Sequence, residues 1–383
     1  MAKTKFDEMH PVYFDNAATS RPKPTEVINA YVEYVNEIGA SPGRGSYGLG
    51  VQASRMLFQS RKTIASFFGL LKRDHVVFTK NSTEAINLFF HGYLKKGDHV
   101  LISPYEHNAV LRPLHKLQEE GYITYSILPI DVILEPRELL GQYVRDNTRL
   151  VVSMLASNLT GRVIFSRPLA EAAHGLNLDV FVDASQGAGY IPVDMSNDHI
   201  DYLAFTGHKD MLGLPGVGGL CSKDEFHFSP LLQGGMGIHG EAFTNPDIFP
   251  DSYEAGTINM PAIWALKTAV EYVVQNRKPI IDKDNEIMSY LTERLLDEDS
   301  IIVYEPKAER VPTICFNVRG RDSSTIVSHL NKHGICSRGG IHCAILAHKE
   351  IGTEATGAVR ISVNHYNTIA EVDYLLQVLR EVR

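Results

Sequence analysis

Short apolar runs alternate with stretches of helical spacing from about residue 25 to residue 260. The apolar runs predict strands at 75–79, 99–103, 123–128, 150–155, 180–183, 202–205 and 217–221. The helical spacing predicts helices at 25–37, 50–68, 83–94, 109–120 and 168–175. An alternation of this kind is typical of a mostly parallel α/β sheet that is covered by helices on both faces.

The rhythm changes after about residue 260. A helix at 261–275 is followed by a charged stretch, a second helix at 286–296, and strands at 301–304 and 313–318. A helix at 323–333 and a strand near 359–363 precede a last helix, which opens with the capping box Thr368-x-x-Glu371. The sequence therefore predicts a large domain at 21–260 and a smaller α+β domain at 261–383. We expect the N-terminal segment 1–20 to pack with the small domain.

Composition and charge narrow the class of protein. The chain has 383 residues, 44% of them hydrophobic, and a net charge of −8, so nucleic acid and anionic membrane are not expected partners. No apolar run reaches 18 residues, so no membrane span is predicted. With no signal peptide visible and four cysteines that form no disulfide framework, we expect a cytoplasmic protein with reduced thiols.

Several common cofactor motifs are not found. The chain has neither a P-loop nor the dinucleotide fingerprint, and its glycine-rich segment 213–220 leads into a predicted strand rather than a helix. We recognise no cysteine or histidine cluster at metal-ligand spacing and predict no metal site.

Two predicted strands end in residues that could carry chemistry. Asp183 ends one strand, and Thr206, His208 and Lys209 end the next. Open α/β sheets bind ligands at the carboxyl ends of their strands. Any one of these side chains alone is ordinary, but together they meet the needs of pyridoxal phosphate, which requires a lysine for its Schiff base and a carboxylate for its pyridine nitrogen.

The segment from Thr79 to Leu88 could supply a phosphate site. It follows a strand and opens a helix with Ser82 and Thr83. Backbone N–H groups and hydroxyls at a helix N-terminus bind anions. A plain capped helix would have the same sequence, so both interpretations stay open.

The order of these motifs resembles one enzyme family. The motifs are Glu106-His107, Ser157-Asn158, Asp183-x-x-Gln186, Thr206-Gly-His208-Lys209 and Gly256-Thr257-x-Asn259. They resemble those of class V aminotransferase-fold enzymes, and in particular the cysteine desulfurase and selenocysteine lyase family. The similarity runs from Val12 to the last helix. It implies the type I fold of pyridoxal phosphate enzymes, with a mostly parallel seven-stranded sheet in the large domain.

The resemblance implies a role for each matching residue. Lys209 matches the Schiff-base lysine, Asp183 the partner of the pyridine nitrogen, Gln186 the residue near the ring hydroxyl, and His107 the imidazole stacked on the ring. The phosphate contacts match Ser82, Thr83, Thr206, His208 and Thr257. Because the family supplies the last of these from the neighbouring subunit, a homodimer is implied. The substrate contacts match Asn158, Arg338 and Arg360. The guanidinium fork of Arg360 suits a carboxylate.

Cys343 decides between chemistries. It lies in a glycine-rich segment beside His342, similar to the segment that carries the catalytic cysteine of the desulfurases. The resemblance implies a nucleophile that receives a persulfide, whereas a free cysteine is otherwise usually a small buried hydrophobe. Ile341, Ile258 and the pair Asn81-Ser82 depart from the family pattern, which bears on substrate preference.

We therefore predict a pyridoxal-phosphate-dependent cysteine desulfurase that converts L-cysteine to L-alanine, with a sulfur-acceptor protein as a candidate partner. Three alternatives stay open. One is a selenocysteine lyase. Another is a transaminase or other lyase of the same fold in which Cys343 is structural. The third is a non-catalytic cofactor-binding or scaffold protein.

Overall fold

A computed structural model describes residues 11–43, 45–72, 75–237, 243–245 and 247–382. The strands in chain order are β1 (Val12–Tyr13), β2 (Val76–Thr79), β3 (His99–Ile102), β4 (Thr124–Ile127), β5 (Thr148–Met154), β6 (Asp179–Asp183), β7 (Tyr202–Thr206), β8 (Gly218–Ser222), β9 (Ile301–Val303), β10 (Thr313–Val318), β11 (Ile335–Cys336), β12 (Arg338–Gly340) and β13 (Ala358–Ser362). The α-helices are α1 (Thr25–Glu33), α2 (Gly48–Phe67), α3 (Ser82–Tyr93), α4 (Asn108–Glu119), α5 (Ile130–Leu134), α6 (Pro136–Leu139), α7 (Arg167–Gly175), α8 (Met260–Leu296), α9 (Ser323–Lys332), α10 (Ile345–Glu350) and α11 (Ile369–Arg380).

The chain forms two compact units. The larger comprises Lys23–Leu155 and Ile164–Gln275, and the described residues of the smaller belong to Met1–Pro22, Ala156–Val163 and Asn276–Arg383. The division falls inside α8, later than the boundary near 260 that the change of pattern suggested. The sequence did not predict that Ala156–Val163 belongs to the smaller unit. Arg162 in this segment forms an isolated β-bridge with Arg310.

The larger unit contains a seven-stranded sheet in the order β2-β8-β7-β6-β5-β3-β4. β8 is antiparallel to both of its neighbours, and the other adjacent pairs are parallel. Most of the strands are short runs of apolar, often β-branched side chains that are almost fully buried, whereas the edge strand β4 is partly exposed. This confirms the predicted mostly parallel α/β sheet, with observed strand ends within two residues of the predicted ones.

A glycine permits a close approach beside the edge of the sheet at which the parallel strands end. A Cβ atom on Gly218 of β8 would lie 2.6 Å from the carbonyl oxygen of Phe205 and 2.8 Å from the backbone of Asn81. The glycine-rich segment thus serves chain packing, because no larger residue fits between β7 and the turn that precedes α3.

The smaller unit is an α+β structure. β1 and β11 form a parallel pair, and β12, β13, β10 and β9 form a four-stranded antiparallel sheet in that order. Its core includes Phe14, Leu291, Phe316 and Leu376. The capping box that opens α11 is confirmed by reciprocal hydrogen bonds between Thr368 and Glu371.

One element differs from its prediction. The two helices expected at 261–275 and 286–296 form the single helix α8, and the charged stretch between them is helical. Within this stretch Lys278 pairs with Asp282 at 2.6 Å and Lys283 with Glu286 at 2.8 Å. Charge pairs at these spacings stabilise an exposed helix, so the charged residues continue the helix rather than end it. Within the described ranges, no helix combines the length and the apolar character needed to cross a membrane.

Candidate active site

One edge of the larger unit's sheet gathers most of the predicted cofactor residues. β3, β5, β6, β7 and β2 run in the same direction, so their carboxyl ends lie along one edge. Asp183 ends β6 and Thr206 ends β7. Ser82 begins the helix after β2, and His107 caps the helix after β3. This is the edge at which open α/β sheets bind ligands.

Asp183 is a buried carboxylate, with 2% of its surface exposed. Its Oδ1 accepts hydrogen bonds from the backbone N–H and the hydroxyl of Ser185. These two bonds fix the carboxyl group at the end of the strand while Oδ2 remains available for a ligand. Gln186, three residues on, is also buried.

The start of α3 and the end of β7 together offer hydroxyl and N–H groups. Asn81 caps α3 by accepting a hydrogen bond of 2.9 Å from the backbone N–H of Glu84, which leaves Ser82 and Thr83 in the first turn. The Oγ1 atom of Thr206 is buried, and no residue in the described part of the chain hydrogen-bonds to it. A buried hydroxyl without a partner is costly, and a bound phosphate would satisfy it. The donor set therefore fits a phosphate group.

His208 and Lys209 lie in a cationic turn after β7. Burial, the charge of Lys209 and that of Lys23 lower the pKa of His208 to about 4, so its imidazole is neutral near pH 7. The Nζ atom of Lys23 donates a hydrogen bond of 2.7 Å to the carbonyl oxygen of His208, and burial lowers the pKa of Lys23 to about 8. Lys23 was missed by sequence reasoning, because a lysine far along the chain from its partner leaves no local signal.

His107 holds its ring by capping α4. Its Nδ1 accepts a hydrogen bond of 3.0 Å from the backbone N–H of Ala109, which assigns the proton to Nε2. A ring fixed in this way suits the stacking role that the resemblance implies, and that role stays a prediction.

Glu106 is a second residue that sequence reasoning left without a role. It is fully buried, and its Oε1 accepts hydrogen bonds from the Ser103 hydroxyl at 2.5 Å and from the Met154 N–H at 2.7 Å. Met154 is the register partner of Asp183 across β5 and β6. Burial, with the charge of Asp183 adding to it, raises the pKa of Glu106 to about 8. The larger unit thus carries a protonated carboxyl group beside the ionisable one expected to meet the cofactor.

Thr257 lies on an exposed loop and borders a cavity of about 360 Å³, which is lined also by Leu231, by Tyr253 and by Glu84 of the first turn of α3. Its exposure leaves it accessible for the contact with a neighbouring subunit that the resemblance implies.

Within the smaller unit, Asn158 and Arg360 form a buried polar network. Arg360, 2% exposed at the centre of β13, donates to Asp15 at 2.5 Å and to the carbonyl oxygen of Asn158 at 2.8 Å. Its Nε atom and the Oδ1 of Asn158 have no hydrogen-bond partner among the described residues. The network therefore keeps one donor and one acceptor for a ligand such as an amino acid. Arg338, on β12, is exposed.

Cys343 is the exposed one of the four cysteines. His342 and Cys343 adopt left-handed backbone angles, with φ of 55° and 56°, which non-glycine residues rarely do. The side-chain amide of Asn158 donates to the carbonyl oxygen of His342 at 2.8 Å and holds this turn. Burial raises the pKa of the other three thiols, those of Cys221, Cys315 and Cys336, and so disfavours their thiolates. Non-local burial of this kind could not be deduced from the local sequence.

Comparisons with known proteins find one family and several similar proteins. The family described as Aminotransferase class-V matches residues 12–375. A probable cysteine desulfurase of Methanothermobacter thermautotrophicus is 33% identical over 97% of this chain and 94% of its own length. A cysteine desulfurase of Haloferax volcanii is 31% identical over 97% of this chain and 89% of its own.

Solved structures give the same result. The apo structure of a cysteine desulfurase from Thermococcus onnurineus superimposes with a TM-score of 0.86 at 29% identity, covering 100% of this chain and 99% of the other. A cysteine desulfurase from Escherichia coli, described as an S-sulfonic acid form, has a TM-score of 0.85 at 27% identity, covering 97% and 94%.

Proposed function

This chain belongs to the class-V aminotransferase family, and within it to the cysteine desulfurases, and we propose that it converts L-cysteine to L-alanine with pyridoxal phosphate as cofactor and Cys343 as the sulfur-accepting group. The residues proposed for the cofactor lie in the larger unit. Cys343 and the residues proposed for the substrate carboxylate lie in the smaller unit.

Bound pyridoxal phosphate supplies an electron sink for negative charge at the substrate Cα. Asp183, held by Ser185, would keep a proton on the pyridine nitrogen. Ser82, Thr83 and the unsatisfied hydroxyl of Thr206 would bind the phosphate. His208, because it is neutral, would bind it as a hydrogen-bond donor rather than as a cation.

Lys209 and Arg360 would handle the amino acid. Lys209 would hold the cofactor between turnovers and, once released, take the proton from the substrate Cα at its Nζ. The free Nε of Arg360 and the amide oxygen of Asn158 offer contacts to a carboxylate and an amine. His107, with its Nε2 proton, would orient the substrate against the ring.

Cys343 would act on the substrate sulfur. Its thiolate attacks the Sγ of L-cysteine, the new S–S bond forms as the Cβ–S bond breaks, and the electron pair of that bond remains with the carbon product. Protonation at Cβ and return of a proton to Cα from the Nζ of Lys209 then give alanine, and Cys343 retains the persulfide. No external oxidant or reductant is needed.

The exposure of Cys343 on its left-handed turn is the observation that carries this proposal, because other class-V reactions do not need a thiol there. The experiment is to supply L-cysteine to the holoenzyme, quantify alanine and sulfide, and trap the persulfide by alkylation and mass measurement. In Cys343→Ser the hydroxyl stays protonated near neutral pH. We expect alanine formation to fall by orders of magnitude and the persulfide to disappear.

Cys336→Ser is the matched control, because Cys336 lies seven residues earlier in the same segment and is partly buried. It should retain the persulfide on Cys343. Undiminished alanine formation by Cys343→Ser would contradict the nucleophilic role. A keto acid product without sulfide would instead identify a transaminase. Turnover of selenocysteine by Cys343→Ser would identify a selenocysteine lyase.

The homodimer, the cytoplasmic location and a sulfur-acceptor protein are further parts of this proposal. Support for the dimer comes from the exposure of Thr257, which the family supplies to the neighbouring subunit's phosphate.

A further inference from the structure

Two imidazoles and a carboxylate converge in the smaller unit, and none of them belongs to the candidate active site. His329 lies on α9, His333 caps the C-terminus of that helix, and Glu381 caps the C-terminus of α11. The Nε2 atoms of His333 and His329 lie 3.5 Å and 3.8 Å from Oε2 of Glu381. The expectation that no histidine pair has metal-ligand spacing is wrong, because His329 and His333 stand four residues apart on one helical face.

The distances suit a tetrahedral ion. One ligand atom from each of the three side chains can be chosen so that all three lie within 4.8 Å of one another. Bonds of about 2.1 Å to a tetrahedral zinc ion separate neighbouring ligand atoms by about 3.4 Å. The two imidazole–carboxylate separations are therefore already within a few tenths of an ångström of what an ion requires.

The protonation of His333 is directed by a backbone contact. Its Nδ1 lies 3.0 Å from the carbonyl oxygen of His329, a contact that places the ring proton on Nδ1 and leaves the Nε2 lone pair facing Glu381. Metal-bound histidines almost always use their second nitrogen in this way. The hydroxyl of Tyr374, on α11, donates to the carbonyl oxygen of His333 and adds a second tie between the two helices.

The Nε2 atom of His329 lacks a hydrogen bond to any described residue, although Glu381 approaches it to 3.8 Å. This atom is buried. This ring nitrogen faces a carboxylate and a second imidazole. A cation bound between the three groups would give it the partner that it lacks.

We propose that His329, His333 and Glu381 bind a divalent transition-metal ion of the Zn²⁺ class. Two imidazoles and one carboxylate favour zinc, nickel, cobalt or copper over calcium and magnesium, which prefer all-oxygen ligand sets. Glu381 is 47% exposed, so water completes the coordination from the solvent side. The ion ties the end of α11 to α9, and its effect is on the stability of the C-terminal helix.

The test uses tag-free holoenzyme and Zn²⁺ as the probe. Zinc uptake is measured by competition with a chromogenic chelator, and the melting temperature is measured with and without Zn²⁺. Wild type should bind one more equivalent than His329→Ala and Glu381→Gln, and zinc should raise its melting temperature but not theirs. Because loss of an orienting group alone costs about tenfold or more in affinity, loss of a ligand should cost at least as much.

His115→Ala is the matched control. It removes one imidazole from an exposed pair with Glu119, also four residues apart, and should behave like wild type. Glu381→Gln keeps the size of the side chain, so it still tests the site if His329→Ala fails to fold. Circular dichroism checks that both variants are folded. Equal uptake and equal melting shifts in wild type and both variants would overturn the proposal, because the zinc would then be bound by thiols or elsewhere. Failure of wild type to bind Zn²⁺ would overturn it too.

Discussion

Replacement of Glu106 by glutamine should remove a pH-dependent loss of stability from the larger unit. The carboxyl group is fully buried, and its pKa is raised from 4.5 to about 8. Between these values the unfolded chain has released this proton while the native state still holds it, so native stability falls as pH rises. Each pH unit is equivalent to about 1.4 kcal/mol, which gives at most about 4 kcal/mol between pH 5 and pH 8.

Glutamine cannot titrate, and its amide oxygen can still accept from Ser103 and from the N–H of Met154. The free energy of unfolding of Glu106→Gln, relative to that of wild type, should therefore increase as pH rises, so the variant becomes the relatively more stable protein. For a chain of 383 residues, 4 kcal/mol corresponds to about 5 °C in melting temperature. The assay is thermal unfolding of both proteins at half-unit steps from pH 5 to pH 8.5, without and with pyridoxal phosphate.

Glu119→Gln removes an exposed carboxylate and controls for the loss of one charge. The refuting result is a difference in melting temperature between Glu106→Gln and wild type that stays constant with pH. That result would mean that Glu106 is ionised in the native protein and that burial does not govern this carboxyl group.

Three further predictions concern the proposed reaction. Borohydride reduction of the holoenzyme should fix the cofactor to Lys209, and Lys209→Ala should prevent this; peptide mapping that finds another modified lysine would reject the assignment. If Thr257 completes the neighbour's site, a mixture of Lys209→Ala and Thr257→Ala subunits should regain one intact site per heterodimer, whereas a fully active monomer would exclude this. Because lysine lacks the guanidinium fork, Arg360→Lys should raise the KM for L-cysteine about tenfold or more, while Arg319→Lys, at an exposed position, should leave steady-state kinetics unchanged.

The strand ends of the larger unit could be predicted because their signal is local. Asp183 and Thr206 follow apolar runs, and parallel strands bring their carboxyl ends to one edge. The same logic failed for α8, where a charged stretch was taken as a break although its side chains pair along the helix. Composition alone does not distinguish a solvated loop from a charge-paired helix.

Other features depend on contacts between residues that are distant in the sequence. The raised pKa of Glu106 comes from the burial that the sheet imposes and from the charge of Asp183, against the hydrogen bonds from Ser103 and Met154, which lower it. Lys23 reaches the carbonyl oxygen of His208 across 185 positions. The segment Ala156–Val163 joins the smaller unit through pairing with residues near Arg310. No periodicity carries such information, because the energy of these contacts depends on the folded surroundings.

The proposal of Cys343 as the sulfur acceptor shows how burial adds information to a sequence motif. All four cysteines have the same thiol, and two of them, Cys336 and Cys343, share one short segment. Burial separates them, since the thiolate is the nucleophile and burial penalises it. Cys221 and Cys315 are fully buried and Cys336 partly so, and burial raises the pKa of each. The turn at Cys343 reverses the backbone through two left-handed residues and leaves this thiol exposed. The strain of that turn is opposed by the hydrogen bond from Asn158, so the amide whose oxygen we propose as a substrate contact also holds the turn of the proposed nucleophile.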